Sequence, residues 1–274
     1  MPVKILFCDL DGTLIAHGQG LSDDNLQMLQ SLRAGGVIVA LASGRSPFSL
    51  SKVVTPQMPI DYAIFSTGVG IIDWQSQQIL LRRELSEKQV RQALDILDSE
   101  QIDTMVQAAV PDNHLFQYRQ YTAEESSGTD FCRRIHLYQG FCRPLPTEAW
   151  QGTASQLLAI MRPDDPRFLR ILPRLQEFSV IRATSPLDGH SLWLEIFAPG
   201  VNKSSAASWL SGKLPAQPVT YALGNDHNDL DLLAWAKYSL IAQDAPAELQ
   251  AQFTVLNAEP AGFLRQAAHI WQLP

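Results

Sequence analysis

The sequence predicts an α/β fold, a doubly wound, Rossmann-like parallel sheet interrupted by an inserted α/β domain. Three observations carry that prediction. Apolar runs of strand length alternate with helical periodicity over residues 1–83 and again over 190–274, the pattern of a parallel sheet buried on both faces. Several of those runs stop abruptly in acid, hydroxyl or amide residues beside glycine, as strands do where an open sheet presents side chains to a ligand. Residues 84–189 between them carry a strand and helix alternation of their own, long enough for a second domain.

The chain has 274 residues, 46 % of them apolar, ample for a real core. A formal net charge of −7 without any Lys/Arg cluster argues against a broad nucleic-acid or anionic-membrane surface, so an anionic small substrate would need cations supplied locally. Cys8, Cys132 and Cys142 lack metal-type spacing and fit free or buried thiols better than a disulfide framework. The first residues lack a leader pattern, and no apolar stretch approaches the ~18 residues of a membrane helix. The expectation is a cytoplasmic protein; the sequence leaves its oligomeric state open.

Val3, Ile5, Leu6 and Phe7 form the first strand, which ends in Asp9-Leu10-Asp11-Gly12-Thr13. Strand side chains alternate, so Asp9 and Asp11 fall on one side, and Gly12 lets the backbone turn. Two converging carboxylates are costly without a cation, which predicts a metal or one protonated member. A calcium loop fits poorly, because the glycine stands fourth rather than sixth and Leu14 falls among the would-be ligands. Ser22, Asp23 and Asp24 then start a helix over 23–34 that stops at Gly35-Gly36. A strand over 37–42 ends in Ser43-Gly44-Arg45, where Ser43 is either a ligand to the substrate or the N-cap of a helix through Phe48 and Val53. Tyr62 to Ser66 is a third strand, and 70–73 with 79–81 form a hairpin.

In the insertion, Ser86 caps a helix carrying Val90, Leu94 and Leu97, followed by a strand over 104–108 and an irregular polar stretch over 111–146. That stretch holds Tyr118, Arg119, Tyr121, Arg133, Arg134 and His136, among which the sequence alone does not choose substrate contacts. A strand over 156–161, a helix capped by Asp165-Pro166 and a strand over 179–184 complete it. The first sheet is expected to resume with Leu192 to Ile196. Gly200-Val201-Asn202-Lys203 opens the next helix, and the strand 219–223 ends in Gly224-Asn225-Asp226-His227-Asn228-Asp229. A helix with Leu230, Leu233 and Trp235, a strand over 238–242 and a terminal helix over 262–271 follow.

Acid, hydroxyl, lysine and acid/amide clusters in this order form a kit for phosphoryl transfer. Asp9-Leu-Asp-Gly-Thr13, Ser43-Gly-Arg45, Lys203 and Gly224-Asn-Asp-His-Asn-Asp229 resemble the four ordered motifs of the haloacid dehalogenase superfamily. The insertion between the second and third resembles the large α/β cap of its Cof-type branch.

The resemblance implies a magnesium-dependent phosphatase for a small phosphorylated metabolite, a sugar phosphate by family analogy, with the inserted domain closing over the site. Asp9 would be the nucleophile that forms an aspartyl-phosphate, Asp11 the general acid and base, and Lys203 the cation offsetting shared negative charge. Gly12, Thr13, Ser43, Gly44, Arg45 and Asn228 would hold the phosphoryl group, and Asp9, Asp11, Asn225, Asp226 and Asp229 would hold Mg2+. No His/Cys cluster favours zinc. Two departures stand out: Asn225 replaces the aspartate expected on the metal, and Thr67-Gly68 stands where relatives carry Asn-Gly. His227 within the fourth motif is expected to face solvent. A phosphomutase and a non-catalytic phosphate-binding regulator are the alternative readings.

Overall fold

The computed structural model describes residues 2–16, 19–123, 129–146, 150–185 and 187–274. The chain divides into two compact units, one formed by Met1–Arg82 with Asn202–Pro274 and the other by Arg83–Val201.

The first unit is built on β1 (Lys4–Cys8), β2 (Val37–Ala42), β3 (Tyr62–Phe65), β4 (Gly70–Asp73) and β5 (Gln78–Arg82). Its sheet order is β14-β13-β12-β1-β2-β3-β4-β5, completed by β12 (Val219–Gly224), β13 (Tyr238–Ala242) and β14 (Val255–Leu256). The strands from β14 to β3 are parallel, and β4 and β5 add an antiparallel hairpin at one edge. The chain proceeds outward from β1 to β2 and β3 on one side and from β12 to β13 and β14 on the other. β1 is therefore the topological switch point, where open sheets bind ligands.

Helices α6 (Lys203–Ser211), α7 (Leu230–Trp235) and α8 (Ala247–Gln250) cover the face carrying Ile5, Phe7, Ala40, Ile64 and Ala222. Helices α1 (Asp23–Ala34) and α9 (Pro260–Ile270) pack on each other at the opposite face. Asn25, fully buried in α1, ties them by donating to the carbonyls of Leu14 at 2.7 Å and Pro260 at 2.8 Å. The helix expected through Val53 is one turn, α2 (Pro47–Leu50), and its N-cap is Ser46, whose hydroxyl accepts from the Ser49 N–H. Proline favours the first helical position, which sets the cap at Ser46 and frees Ser43 from that role.

The second unit is a six-stranded sheet of order β10-β11-β9-β6-β7-β8, formed by β6 (Thr104–Gln107), β7 (Phe116–Arg119), β8 (Cys142–Pro144), β9 (Gln156–Met161), β10 (Ser179–Thr184) and β11 (Leu192–Phe197). Helices α3 (Glu87–Ser99) and α5 (Arg167–Ile171) join through Arg170 and Glu100, 2.9 Å apart. Helix α4 (Phe131–Leu137) seats Phe131 among Met105, Leu158, Ile160 and Trp193.

Two expectations fail here. The stretch 111–146 is not irregular throughout, because it contains β7, α4 and β8; their short, polar sequences lack a clear period. The strand at Leu192 does not return the chain to the first sheet. It pairs antiparallel with β10 and β9, so the unit boundary falls near Asn202 rather than 190. The 185–191 connection is too short for a parallel crossover, which needs a dozen or more residues.

Candidate active site

Cys8 pairs in register with Leu41 of β2 and Leu223 of β12, so the residues that follow leave the sheet together at its switch point. Asp9 is held there by its own N–H, which donates to the Leu223 carbonyl at 3.0 Å.

Lys203 begins α6 and is fully buried. Its Nζ donates to Asp9 Oδ1 at 2.7 Å and Asp229 Oδ1 at 2.6 Å. A lysine at a helix N-terminus opposes the helix dipole, and two carboxylates compensate for it. The helix start is fixed by Asn202, whose Oδ1 accepts from the Ser205 N–H at 2.7 Å, and by Asp231, whose Oδ2 accepts from the Ser204 N–H at 2.7 Å. Sequence reasoning missed Asp231; its signal was an acid two residues beyond Asp229, at the start of α7.

Burial, reinforced by the charge of Asp229, pushes the Asp9 carboxyl up to about 8 against the pull of Lys203. Burial alone would push Lys203 down, but the facing carboxylates of Asp229 and Asp9 outweigh it and hold the ammonium above its ordinary value. With both acids ionised, this cluster carries one negative charge in excess. Burial, helped by Asp9 and Asp229, raises the Cys8 thiol well above its ordinary value, so a neutral thiol lies behind the site.

Asp229 is fully committed. Besides Lys203 it accepts, through Oδ2, the N–H groups of Asn225 at 3.0 Å and Asp226 at 3.2 Å. Gly224 is required beside it, since an added Cβ would approach the Asp229 side chain to 2.6 Å. Asp226 and Asp229 cap one another reciprocally across the turn at His227–Asp229. Both acids, expected on the metal, are placed as braces of this turn and of Lys203. His227 Nε2 lies 3.0 Å from Glu248 Oε1 on α8.

Asp11 and Arg45, assigned separately to metal and phosphate, are brought to each other. The guanidinium grips the carboxylate in a fork, with Nε 2.7 Å from Oδ2 and Nη2 2.6 Å from Oδ1. Ser49 steadies Arg45 by accepting from Nη1 at 3.1 Å, a contact signalled only by the i,i+4 spacing. The amides expected to hold phosphate at Gly12 and Thr13 are used within the turn, donating to the carbonyls of Ile15 at 2.8 Å and Leu10 at 3.4 Å.

Ser43 is buried, and its hydroxyl accepts from the Arg45 N–H at 3.2 Å. Its carbonyl accepts from the Thr67 N–H at 3.0 Å. An added Cβ on Gly44 would lie 3.5 Å from Thr67 Oγ1 and 3.7 Å from Asn228 Nδ2, so Gly44, Thr67 and Asn228 line one spot. Ser66 and Thr67 both take left-handed backbone conformations, at φ +46° and +56°. That strain beside Ser43 was not foreseen, although a Ser-Thr-Gly run after a strand hints at it.

Among the described residues, no group of three His, Cys, Asp or Glu side chains gathers to hold a metal ion. The groups that face one another are instead Asp9 Oδ2, the Asp11 carbonyl and the Asn225 side-chain amide. These supply hard oxygen donors beside the carboxyl groups of Asp9 and Asp229, a set that suits Mg2+ with several retained waters.

The model of the haloacid dehalogenase-like hydrolase family matches residues 6–259. YkrA of Bacillus subtilis strain 168, a phosphatase by its given name, is 24 % identical over 91 % of this chain and 90 % of its own. Among solved structures, the chain resembles a protein described as the HAD subclass IIB sugar phosphatase BT4131, with a TM-score of 0.76, 16 % identity and coverage of 99 % and 100 % of the two chains. BT1666 from Bacteroides thetaiotaomicron aligns with a TM-score of 0.78 at 16 % identity, covering 98 % of this chain and 96 % of its own. At such identities these structures show a shared fold.

Proposed function

The chain belongs to the haloacid dehalogenase-like hydrolase family, and on that premise we propose that it is a magnesium-dependent phosphatase acting on a small organic phosphomonoester through Asp9. The observation that carries this reading is the arrangement at the switch point: a buried Asp9 held by Lys203, two residues from an Asp11 held by Arg45. A purely binding site has no need of a nucleophile and an acid so placed.

In the proposed reaction an Asp9 carboxylate oxygen attacks phosphorus as the bond to the leaving oxygen breaks, and Asp11 gives that oxygen its proton. A water then attacks the aspartyl-phosphate, loses a proton to Asp11 and releases inorganic phosphate with Asp9 restored. Lys203 keeps Asp9 oriented and offsets charge shared with the phosphoryl group. Arg45 holds Asp11 by both oxygens, so it must release one of them before Asp11 carries the proton that it gives, and Ser43 with Asn228 offers polar groups to the phosphoryl oxygens. Magnesium, when bound by Asp9, the Asp11 carbonyl and Asn225, supplies charge neutralisation at the phosphoryl oxygens. A sugar phosphate is the proposed substrate class, supported by the description of BT4131, and the second unit is proposed to select it.

The test is phosphate release from a panel of sugar phosphates and an aryl phosphate across magnesium concentrations. Asp9→Asn should lose at least about 10³-fold in turnover. An Asp9→Asn protein that retains wild-type turnover would overturn the assignment.

A further inference from the structure

The sheet of the second unit buries polar side chains where a core sheet ordinarily buries apolar ones. Gln107 of β6 pairs directly with Gln156 of β9, and Met105 pairs with Leu158 two residues along. Leu158 in turn pairs with Glu195 of β11. Directly opposed residues share a face, so Gln107, Gln156 and Glu195 stand on neighbouring strands on one side of the sheet. The same side carries Met105, Leu158 and Trp193, which pack with Phe131 of α4. All three polar residues are more than nine-tenths buried, at 4 % exposure for Gln107, 7 % for Gln156 and 4 % for Glu195.

The Gln107 amide is the informative member. Its Oε1 and Nε2 are both buried, and neither has a hydrogen-bond partner among the described residues. On its other side Gln107 pairs with Phe116, whose ring lies 5.7 Å from the guanidinium carbon of Arg134. The Arg134 Nε is likewise buried without an acceptor. Burial pulls that guanidinium below its ordinary value, opposed by Tyr138, Asp130 and Glu195. Folding alone gives no reason to keep an unpaired amide inside a sheet, because an apolar side chain of similar size avoids its desolvation cost. A sugar hydroxyl both donates and accepts a hydrogen bond. An amide matches it on both counts, and a carboxylate matches its donor.

We propose that Gln107, Gln156 and Glu195 are specificity-determining residues of the second unit, and that they read the hydroxyls of a neutral, polyhydroxylated leaving group. Arg134 offsets the charge of Glu195, and a second anionic group on the substrate is disfavoured because it would face that carboxylate. The inference rests on the phosphatase reading above and names the residues through which the second unit would select its substrate.

The experiment measures kcat/KM of the full chain for 4-nitrophenyl phosphate and for whichever neutral sugar phosphate of the panel is cleaved best. Wild type, Gln107→Met and Glu195→Gln are compared, with melting temperatures in parallel. Each variant should lower the ratio of the sugar value to the aryl value by about tenfold, the worth of one hydrogen bond between a site and a substrate hydroxyl. Gln107→Met should melt at or above the wild type, because the amide it removes has no partner in the protein. A purely structural amide gives the reverse, a lower melting temperature with equal losses on both substrates, and that result overturns the proposal. A ratio that Gln107→Met leaves unchanged overturns it too, and this variant decides alone if Glu195→Gln does not fold. A wild type that hydrolyses 4-nitrophenyl phosphate and none of the sugar phosphates would overturn this inference alone. A wild type that hydrolyses neither would overturn the phosphatase reading, and the inference with it.

Discussion

Both units bury ionisable groups, and they treat them in opposite ways. In the first, Lys203, Asp9 and Asp229 meet in a dry cluster, two carboxyl groups on one ammonium. In the second, Asp130 is equally buried, yet its oxygens are served by neutral donors: the Ser185 hydroxyl and Trp193 Nε1, the latter at 3.2 and 3.3 Å from the two oxygens. Arg134, one turn further along α4, lays its guanidinium over the rings of Trp193, Tyr138 and Phe116 at 4.7, 5.0 and 5.7 Å. The second arrangement disperses charge and fastens a helix to a sheet. The first gathers two acids on one buried cation, which folding alone gives no reason to retain.

Removing the single cation of the first cluster should expose that difference most strongly. Lys203→Met leaves Asp9 and Asp229 facing each other without compensation, and breaking a buried pair in this way costs about 3–5 kcal/mol. The expected outcome is a large drop in melting temperature together with loss of turnover. Adding Asp9→Asn to Lys203→Met should recover part of the stability and none of the activity. A double variant no more stable than Lys203→Met would mean that the two carboxylates do not repel as their burial implies.

The Asp130 network should respond to pH instead. Burial, against the hydrogen bonds of Ser185 and Trp193, raises the Asp130 carboxyl above its ordinary value. The folded state then holds a proton that the unfolded state has released, so this group's contribution to stability declines as pH rises from about 4 through the raised value. Asp130→Asn lacks that slope. The melting temperature of the wild type relative to Asp130→Asn should fall as pH rises from about 4. A wild-type advantage that grows with pH would contradict the reading, and turnover per folded molecule should be kept throughout.

How much of this was legible beforehand follows the range of the interactions. The strand end at Asp9 and Asp11 could be read because alternation along a strand is local, and Ser43, Lys203 and the Gly224 turn could be read because each follows a buried run or opens a helix. What Asp11 and Arg45 do to each other was not legible, since a fork between residues 34 apart depends on where two strand ends meet. The same holds for Asp226 and Asp229, which cap their turn through backbone N–H groups that any sequence supplies, while the other Asp229 oxygen takes Lys203. Leu192–Phe197 was assigned to the wrong sheet because a continuous apolar run fits the centre of either one. Only the shortness of the preceding connection distinguishes them. The short elements β7, α4 and β8 are held by tertiary packing around Phe131 and Phe116, which leaves no regular period in their sequence.

The smallest effect concerns the strained bend that lines the charged site and has no counterpart in the Asp130 network. Thr67 is fully buried at φ +56° and ψ +24°, a left-handed conformation that a β-branched residue enters at a cost and asparagine tolerates. Its N–H is spent on the Ser43 carbonyl, and its hydroxyl faces the Gly44 and Asn228 corner. Thr67→Asn should therefore stabilise the fold by about 0.5–1 kcal/mol, read as a higher melting temperature. Because the hydroxyl is replaced at a spot lined by Asn228, the same variant should change KM for a phosphorylated substrate more than it changes kcat. If melting falls while KM stays fixed, Thr67 is kept for its packing, and the bend belongs with the neutral fastening of the second unit.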